Sequence, residues 1–159
     1  SLRSINPDIA LRTSIIVGFP EETDEEFKEL YDFVEDTQFD RLGVFTYSEE
    51  EGTHGASLKD DVSSKVKTER MDTIMLLQQD INLRKNGALV GNKERVMIDF
   101  HSDDGMSSIG RTYRDAPEVD NSVLINGKLP LGEFVDIKIT EASEYDIKGE
   151  ILTFEPETI

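Results

Sequence analysis

The 159-residue chain contains no cysteine and no tryptophan. Without cysteine it can form neither a disulfide nor a thiolate site for zinc or an iron–sulfur cluster. Long apolar runs are missing too, because the longest, residues 15–20, is far below the roughly 18 residues of a membrane helix. The first residues show neither the apolar core of a signal peptide nor the basic pattern of a transit sequence. We therefore expect a cytoplasmic protein.

Positive charge is also scarce. The chain has 17 Lys and Arg residues against 34 Asp and Glu residues, which gives a net charge of −17. This balance disfavours non-specific attraction to nucleic-acid phosphates and favours a basic partner. The two histidines are far apart and lack ligand-like spacing to carboxylates, so no metal site is predicted. With 36% apolar residues, the chain can still build the core of one domain or two small ones.

The pattern of residues 11–47 predicts a strand, a helix and a second strand. Residues 11–18 are rich in β-branched side chains and end at a Gly-Phe-Pro turn. Thr23 and Glu26 have the spacing of a capping box, and apolar residues then recur at helical intervals as far as Val34. Such a unit makes two parallel strands with a right-handed crossover. Because two parallel strands leave both edges open, we interpret this part as the end of a larger α/β barrel.

The residue pattern of the remaining chain changes near residue 90. An acidic loop over residues 48–61 leads into a predicted helix over residues 63–90, which bridges to a segment of short alternating strands. Five strands in about 65 residues are typical of a small closed barrel of the OB type. The predicted fold class is thus α/β followed by all-β, with domains at residues 1–90 and 91–159. The five predicted strands cover residues 95–99, 109–114, 122–126, 134–140 and 147–154.

The end of the first strand has the spacing of a ligand site. In the pattern Ser14-x-Ile16-x-Gly18-x-x-Glu21, Gly18 would let a ligand approach the main chain, and the strand end offers a flat apolar edge to an adenine ring. A tight strand-to-helix turn without any ligand explains the same spacing. On spacing alone that simpler interpretation is favoured.

Several stretches resemble the radical S-adenosylmethionine methylthiotransferases. These are residues 11–23 (LRTSIIVGFPEET), residues 39–53 (FDRLGVFTYSEEEGT) and Leu77-Gln78-Gln79. Farther along, Gly110-Arg111-Thr112 followed by residues 115–120 (DAPEVD) resembles the TRAM domain that ends these enzymes. The resemblance covers essentially the whole chain, and it implies a partial radical S-adenosylmethionine barrel followed by a five-stranded, OB-like TRAM barrel.

The resemblance also implies cofactors and a chemistry. The intact parent would hold S-adenosylmethionine and two 4Fe-4S clusters, and a CxxxCxxC loop would carry the cluster that cleaves S-adenosylmethionine reductively. None of the cluster cysteines is present here, so we expect this chain to be inactive alone and to contribute no catalytic residue. The implied cofactor-binding residues are Ile16, Gly18, Tyr47 and Ser48. Glu21 departs from the family, which usually has glycine there, and a positive φ would strain the turn.

Two branches of the family differ in their substrate. The tRNA branch usually has an acid where this chain has Thr13-Ser14 and a basic pair where it has Glu50-Glu51, so both positions resemble the branch that modifies an aspartate of the twelfth small-subunit ribosomal protein. Residues 91–159 hold 15 acidic and 7 basic residues and so carry a charge of −8, which suits a basic ribosomal protein rather than tRNA. The implied substrate-binding residues are Glu50, Glu51, Asp115, Glu118 and Asp120.

Two other functions stay open at this stage. One is a tRNA adenosine methylthiotransferase, and the other is a non-catalytic OB-like module that binds RNA or protein. Arg111 and Tyr113 could stack on a nucleotide base, although the acids around them favour a structural or protein-contacting role.

Overall fold

A computed structural model describes residues 2–117 and 119–152. The chain forms two compact units, Ser1–Ile81 and Asn82–Ile159. The first is α/β and the second is all-β, as the sequence predicts. The first unit contains α1 (Leu2–Ile5), β1 (Arg12–Val17), α2 (Asp24–Thr37), β2 (Arg41–Thr46), a 3₁₀ turn (Gly55–Ser57) and most of α3 (Ser64–Leu89). The second contains the end of α3 and the strands β3 (Lys93–His101), β4 (Ser107–Arg111), β5 (Ser122–Asn126), β6 (Phe134–Ala142) and β7 (Asp146–Ile151).

The two strands of the first unit are parallel, with Arg12 opposite Arg41 and Val17 opposite Thr46. Helix α2 crosses between them and begins at the predicted capping box. The Thr23 hydroxyl accepts the Glu26 N–H at 3.2 Å, and the Glu26 carboxylate accepts the Thr23 N–H at 2.8 Å. These bonds satisfy two donors that a helix start leaves without partners, and they fix where α2 begins.

Among the described residues, side chains cover one face of this two-stranded sheet. Side chains from β1, β2, α2 and α3 form a single core on that face. Its buried members are Val17, Val34, Phe39, Val44, Ile74, Leu77 and Ile81. On the opposite face Ile16 and Phe45 stand side by side with 58% and 57% of their surface exposed. Parallel sheets are normally covered on both faces, so this exposed apolar pair fits the interpretation of a partial barrel.

The division between the two compact units falls within α3. This helix runs over Ser64–Leu89, close to the predicted residues 63–90. The predicted domain boundary at residue 90 stays a prediction. No helix among the described residues is both long and apolar enough to cross a membrane.

The second unit is a closed five-stranded barrel in the order β3-β4-β5-β7-β6. Neighbouring strands are antiparallel except β5 and β7, which pair in parallel. Alternating side chains point inward and form its core, which consists of Val96, Ile98, Val123, Ile125, Ile137, Ile139 and Ile147. Gly110 lets β4 approach β3 closely, because a β-carbon there would collide with the carbonyl oxygen of Met97. All five predicted strands are therefore present; the bounds of β5 are as predicted, those of the others differ by a few residues, and residues 153–154 of the last predicted strand lie outside the described residues.

Candidate functional site

The carboxyl ends of β1 and β2 bring the four predicted cofactor-binding residues together. The Tyr47 N–H donates to the Val17 carbonyl at 2.9 Å, which continues the parallel ladder by one residue and places Tyr47 beside Gly18. Ile16 and Ser48 are exposed at the same strand ends. Because the carboxyl ends of parallel strands meet at one sheet edge, this edge is where an α/β fold places its ligands.

Gly18 is required by the packing of the protein itself. Its φ of +69° lies in the left-handed region, and a β-carbon would come within 2.4 Å of Cγ of Lys67. Its N–H donates to both carboxylate oxygens of Glu22, at 3.1 Å each. Lys67 therefore fills the β-carbon side of Gly18, and Glu22 takes its amide hydrogen. A role for Gly18 beside a cofactor stays a prediction.

Lys67 joins the acidic loop to the strand end. Its ammonium lies 2.6 Å from an Asp60 carboxylate oxygen, 3.5 Å from the Tyr47 carbonyl oxygen and 5.0 Å from the centre of the Tyr47 ring. The Tyr47 ring also meets Phe19 edge-on, with centroids 5.1 Å apart. The Tyr47 hydroxyl is buried and has no hydrogen-bond partner among the described residues. A buried hydroxyl without a partner is costly, so this atom is one that a ligand would satisfy.

Arg70 closes the other side of the site. Its side chain is only 7% exposed, and its guanidinium contacts a Glu22 carboxylate oxygen at 2.6 Å and an Asp24 oxygen at 2.8 Å. Glu22 therefore links three elements, through the Gly18 amide after β1, the start of α2 and Arg70 in α3. Removing Glu22 would leave the buried Arg70 with only the exposed Asp24 as an acidic partner, and removing Arg70 would leave the Glu22 carboxylate with the Gly18 amide but no cation.

Lys67 and Arg70 were not among the site residues predicted from the sequence. Both belong to the inward stripe of α3, since positions 67, 70, 74, 77 and 81 follow the three-and-four spacing of one helix face. Buried cations that extend an apolar stripe are a signal for internal ion pairs, and that signal was present in the sequence.

The turn after β1 confirms the expectation about Glu21. This residue has a φ of +70°, the left-handed conformation that glycine adopts without a steric penalty. Its N–H donates to Asp61 at 3.0 Å, so the acidic loop holds the turn in place.

The predicted substrate-binding acids fall into two groups. Glu50 and Glu51 are exposed in the loop after β2, and the Glu50 carbonyl accepts the Thr53 N–H at 3.2 Å. Asp115 and Asp120 instead bond within their own loop: Asp115 accepts the Thr112 hydroxyl at 2.6 Å and Asp120 accepts the Ala116 N–H at 2.7 Å. Their carboxylates thus shape the loop that follows β4. Glu118 lies outside the described residues.

The described part of the chain contains no group of three or more His, Asp or Glu side chains that could hold a metal ion. Together with the lack of cysteine, this arrangement leaves the iron–sulfur clusters of the family without ligands among these residues. At the strand ends the Ile16 side chain is exposed, and the roles of Ile16 and Tyr47 toward S-adenosylmethionine stay predictions.

Comparison with known proteins identifies both parts of the chain. Residues 90–152 match the family model of the TRAM domain, which confirms the predicted identity of the barrel. Three relatives, each named ribosomal protein uS12 methylthiotransferase RimO, align over 95–96% of the chain. The protein of Roseiflexus sp. (strain RS-1) is 48% identical, that of Acetivibrio thermocellus 47% and that of Geobacter sulfurreducens 46%.

The chain is similar to these uS12 methylthiotransferases over nearly its whole length. It spans 33–34% of the length of these three relatives, about a third.

Proposed function

We propose that this chain is part of a radical S-adenosylmethionine methylthiotransferase that modifies an aspartate of ribosomal protein uS12. The observation that carries the proposal is identity of 46–48% to uS12 methylthiotransferases over 95–96% of the chain, through both units. Such an enzyme acts where ribosomal proteins are made and assembled, which places its activity in the cytoplasm.

The strand-end residues supply one wall of the proposed cofactor site. The exposed Ile16 side chain offers an apolar surface to an adenine ring, and the Tyr47 hydroxyl offers a hydrogen bond that no described residue uses. Ser48 stands next to it at the sheet edge, and Gly18 contributes by allowing the turn. When bound, S-adenosylmethionine would supply the radical chemistry and the methyl group. Both iron–sulfur clusters would be held by parts of the parent outside this chain.

Charge supports a basic protein substrate over tRNA. Residues 91–159 carry −8, and Glu50 and Glu51 add exposed negative charge at the strand ends. The field of such a surface draws a cationic partner at low salt and repels phosphates. We keep Asp115 and Asp120 in this proposal as contributors to that field, and their hydrogen bonds within the loop make them poor choices for mutation.

The function is tested with the full-length parent enzyme, reconstituted anaerobically with iron and sulfide. It is incubated with S-adenosylmethionine, a reductant and either uS12 or tRNA, and mass spectrometry then locates any methylthio group. We expect modification of a uS12 aspartate and none of tRNA. Methylthiolated adenosine would instead establish the tRNA branch, and a lack of product with either substrate would favour a binding module. The 159-residue chain alone is expected to produce no 5′-deoxyadenosine.

The cofactor wall is tested by Ile16→Asp in the same parent enzyme. Leu76→Asp is the matched control, because Leu76 is 65% exposed on α3 and is not at the strand ends. We expect Ile16→Asp to weaken S-adenosylmethionine binding by about tenfold, since a carboxylate would replace roughly one buried aliphatic side chain against adenine. Equal affinity of both variants in calorimetry would move the cofactor away from this sheet face.

A further inference from the structure

The TRAM barrel carries a groove whose side chains suit a ligand that is both cationic and flat. The groove has a volume of about 560 Å³ and lies between β3, the segment after β4 and the first residue of β6. Phe134 and Tyr113 line it with 63% and 62% of their surface exposed, and Met97 stands opposite Phe134 in the β3–β6 ladder. Exposed aromatic rings that line a concave surface commonly mark a binding site.

The cations of this groove are already neutralised by the protein. The Arg95 guanidinium is 3.1 Å from Asp136, which also binds Lys93 at 2.8 Å. Arg111 forms an ion pair with Asp99. A phosphate would have to compete with these carboxylates inside a domain of charge −8, so the groove is poorly suited to a nucleic-acid backbone.

The same surface already binds one guanidinium from the chain itself. The Arg114 guanidinium lies 4.3 Å from the centre of the Tyr113 ring and 3.1 Å from a Glu94 carboxylate oxygen. An aromatic face next to a carboxylate is the arrangement that holds a guanidinium by cation–π attraction and a charge-assisted hydrogen bond. Phe134 lines the same groove as Glu94 and Asp115. A carboxylate has more acceptor positions than a single hydrogen bond uses.

A second concavity shares Arg111 with this groove. It is lined by Asp99, Arg111 and Asn121, among other residues. The Asn121 side-chain nitrogen is buried and has no hydrogen-bond partner among the described residues. An unsatisfied donor at this position can donate a hydrogen bond to a carbonyl oxygen, which every residue of an extended peptide provides.

We propose that the Phe134 groove of the TRAM barrel is a docking site for an arginine-bearing peptide segment of the protein substrate, with the guanidinium on the Phe134 ring and a main-chain carbonyl on Asn121. This inference rests on the proposed function for the identity of the partner, and it adds which side chain is recognised and where. Electrostatic attraction brings the basic partner to the barrel, and the Phe134 ring and the Asn121 side-chain amide fix the position of the peptide along the groove.

The test uses the 159-residue chain and a fluorescein-labelled Gly/Arg peptide, measured by fluorescence anisotropy. A second peptide carries citrulline in place of each arginine, which keeps the shape and removes the charge. Phe134→Leu keeps the apolar bulk and removes the π face, and Asn121→Ala removes the amide. Met106→Ala is the matched control, because Met106 is 72% exposed on the same barrel in the turn before β4. Thermal unfolding checks that each variant is folded.

We expect the arginine peptide to bind and the citrulline peptide to bind about tenfold more weakly, the size of one strong cation–π contact. Phe134→Leu should lower affinity for the arginine peptide to a similar extent, and Asn121→Ala should lower it severalfold for both peptides. Met106→Ala should bind like the unaltered chain. The inference is overturned if the arginine peptide does not bind, if Phe134→Leu binds it unchanged, or if a single-stranded RNA oligonucleotide binds more tightly than the peptide through Phe134.

Binding of intact uS12 separates this inference from the proposed function. If uS12 binds and Phe134→Leu has no effect, the docking site is wrong while the proposed substrate stands. If the arginine peptide binds at Phe134 and uS12 does not bind, the site is correct and the proposed substrate is wrong.

Discussion

Replacing Glu21 by glycine should stabilise the first unit. Glu21 is held at a φ of +70° in the turn between β1 and α2, and its N–H bond to Asp61 does not involve its side chain. An L-residue in the left-handed region costs about 1–2 kcal/mol, which glycine avoids. Glycine also loses more conformational entropy on folding, which offsets about 0.5–1 kcal/mol of that gain. The expected net increase in the free energy of unfolding is therefore between about 0 and 1.5 kcal/mol.

Urea unfolding is monitored by hydrogen exchange of the amides in residues 12–37, so that the stability of the first unit is measured separately from that of the barrel. Glu21→Ala is the decisive control, because it removes the charged side chain and keeps the β-carbon that causes the penalty. Glu21→Asn should fall between the two, since asparagine tolerates the left-handed region better than other residues. If Glu21→Ala stabilises the unit as much as Glu21→Gly, the gain comes from lost charge repulsion and the argument from backbone strain is refuted.

Three further outcomes follow from contacts in the two units. Thr23→Ala should lower the stability of the first unit by about 1 kcal/mol, because it removes the capping bond to Glu26, and exchange at the start of α2 should increase in the same experiment. Gly110→Ala should destabilise the barrel by about 1–3 kcal/mol, since the new methyl group collides with the neighbouring strand; an unchanged melting temperature would contradict the close approach. A hydrogen bond from Lys93 lowers the pKa of Asp136 in the folded barrel. The contribution of Asp136 to the free energy of unfolding is therefore present above the usual aspartate pKa of about 3.9, and it is lost as the pH falls through the lower folded pKa. Acid unfolding of Asp136→Asn should therefore be less steep below pH 4 than that of the unaltered barrel, and identical acid profiles would show that Asp136 contributes nothing.

The parts of the fold that could be predicted depend on local patterns. The capping box at Thr23 joins residues three apart, and the alternating strands of the barrel show their inward side chains in the sequence itself. The contacts at the carboxyl ends of β1 and β2 could be predicted only in part, because the hydrogen bonds and ion pairs that complete them join residues far apart in the sequence. Arg70 and Glu22 are 48 positions apart, and neither position shows its partner in the sequence.

The loop after β4 shows hydrogen bonds that the sequence did not reveal. Asp115 and Asp120 look like an exposed acidic motif in the sequence, yet each accepts a hydrogen bond from within five residues. Whether an aspartate binds a partner or shapes its own turn depends on backbone geometry that composition does not reveal. Tyr113 and Phe134, in contrast, lie 21 positions apart and line one groove, because the β3–β4 and β3–β6 pairings place the end of β4 and the start of β6 on either side of Met97.

The parallel pairing of β5 with β7 also determines when the barrel can form. Strand β3 pairs with β6 across about forty intervening residues, and the ring closes only when β7 enters between β5 and β6. Contacts this distant along the chain must overcome a large loop-closure entropy, which slows folding. During synthesis the edges of the barrel strands therefore remain unpaired until β7 has left the ribosome. The capping box of α2, in contrast, can form as soon as its own turn emerges. The period before closure is the one in which this domain is most exposed to aggregation.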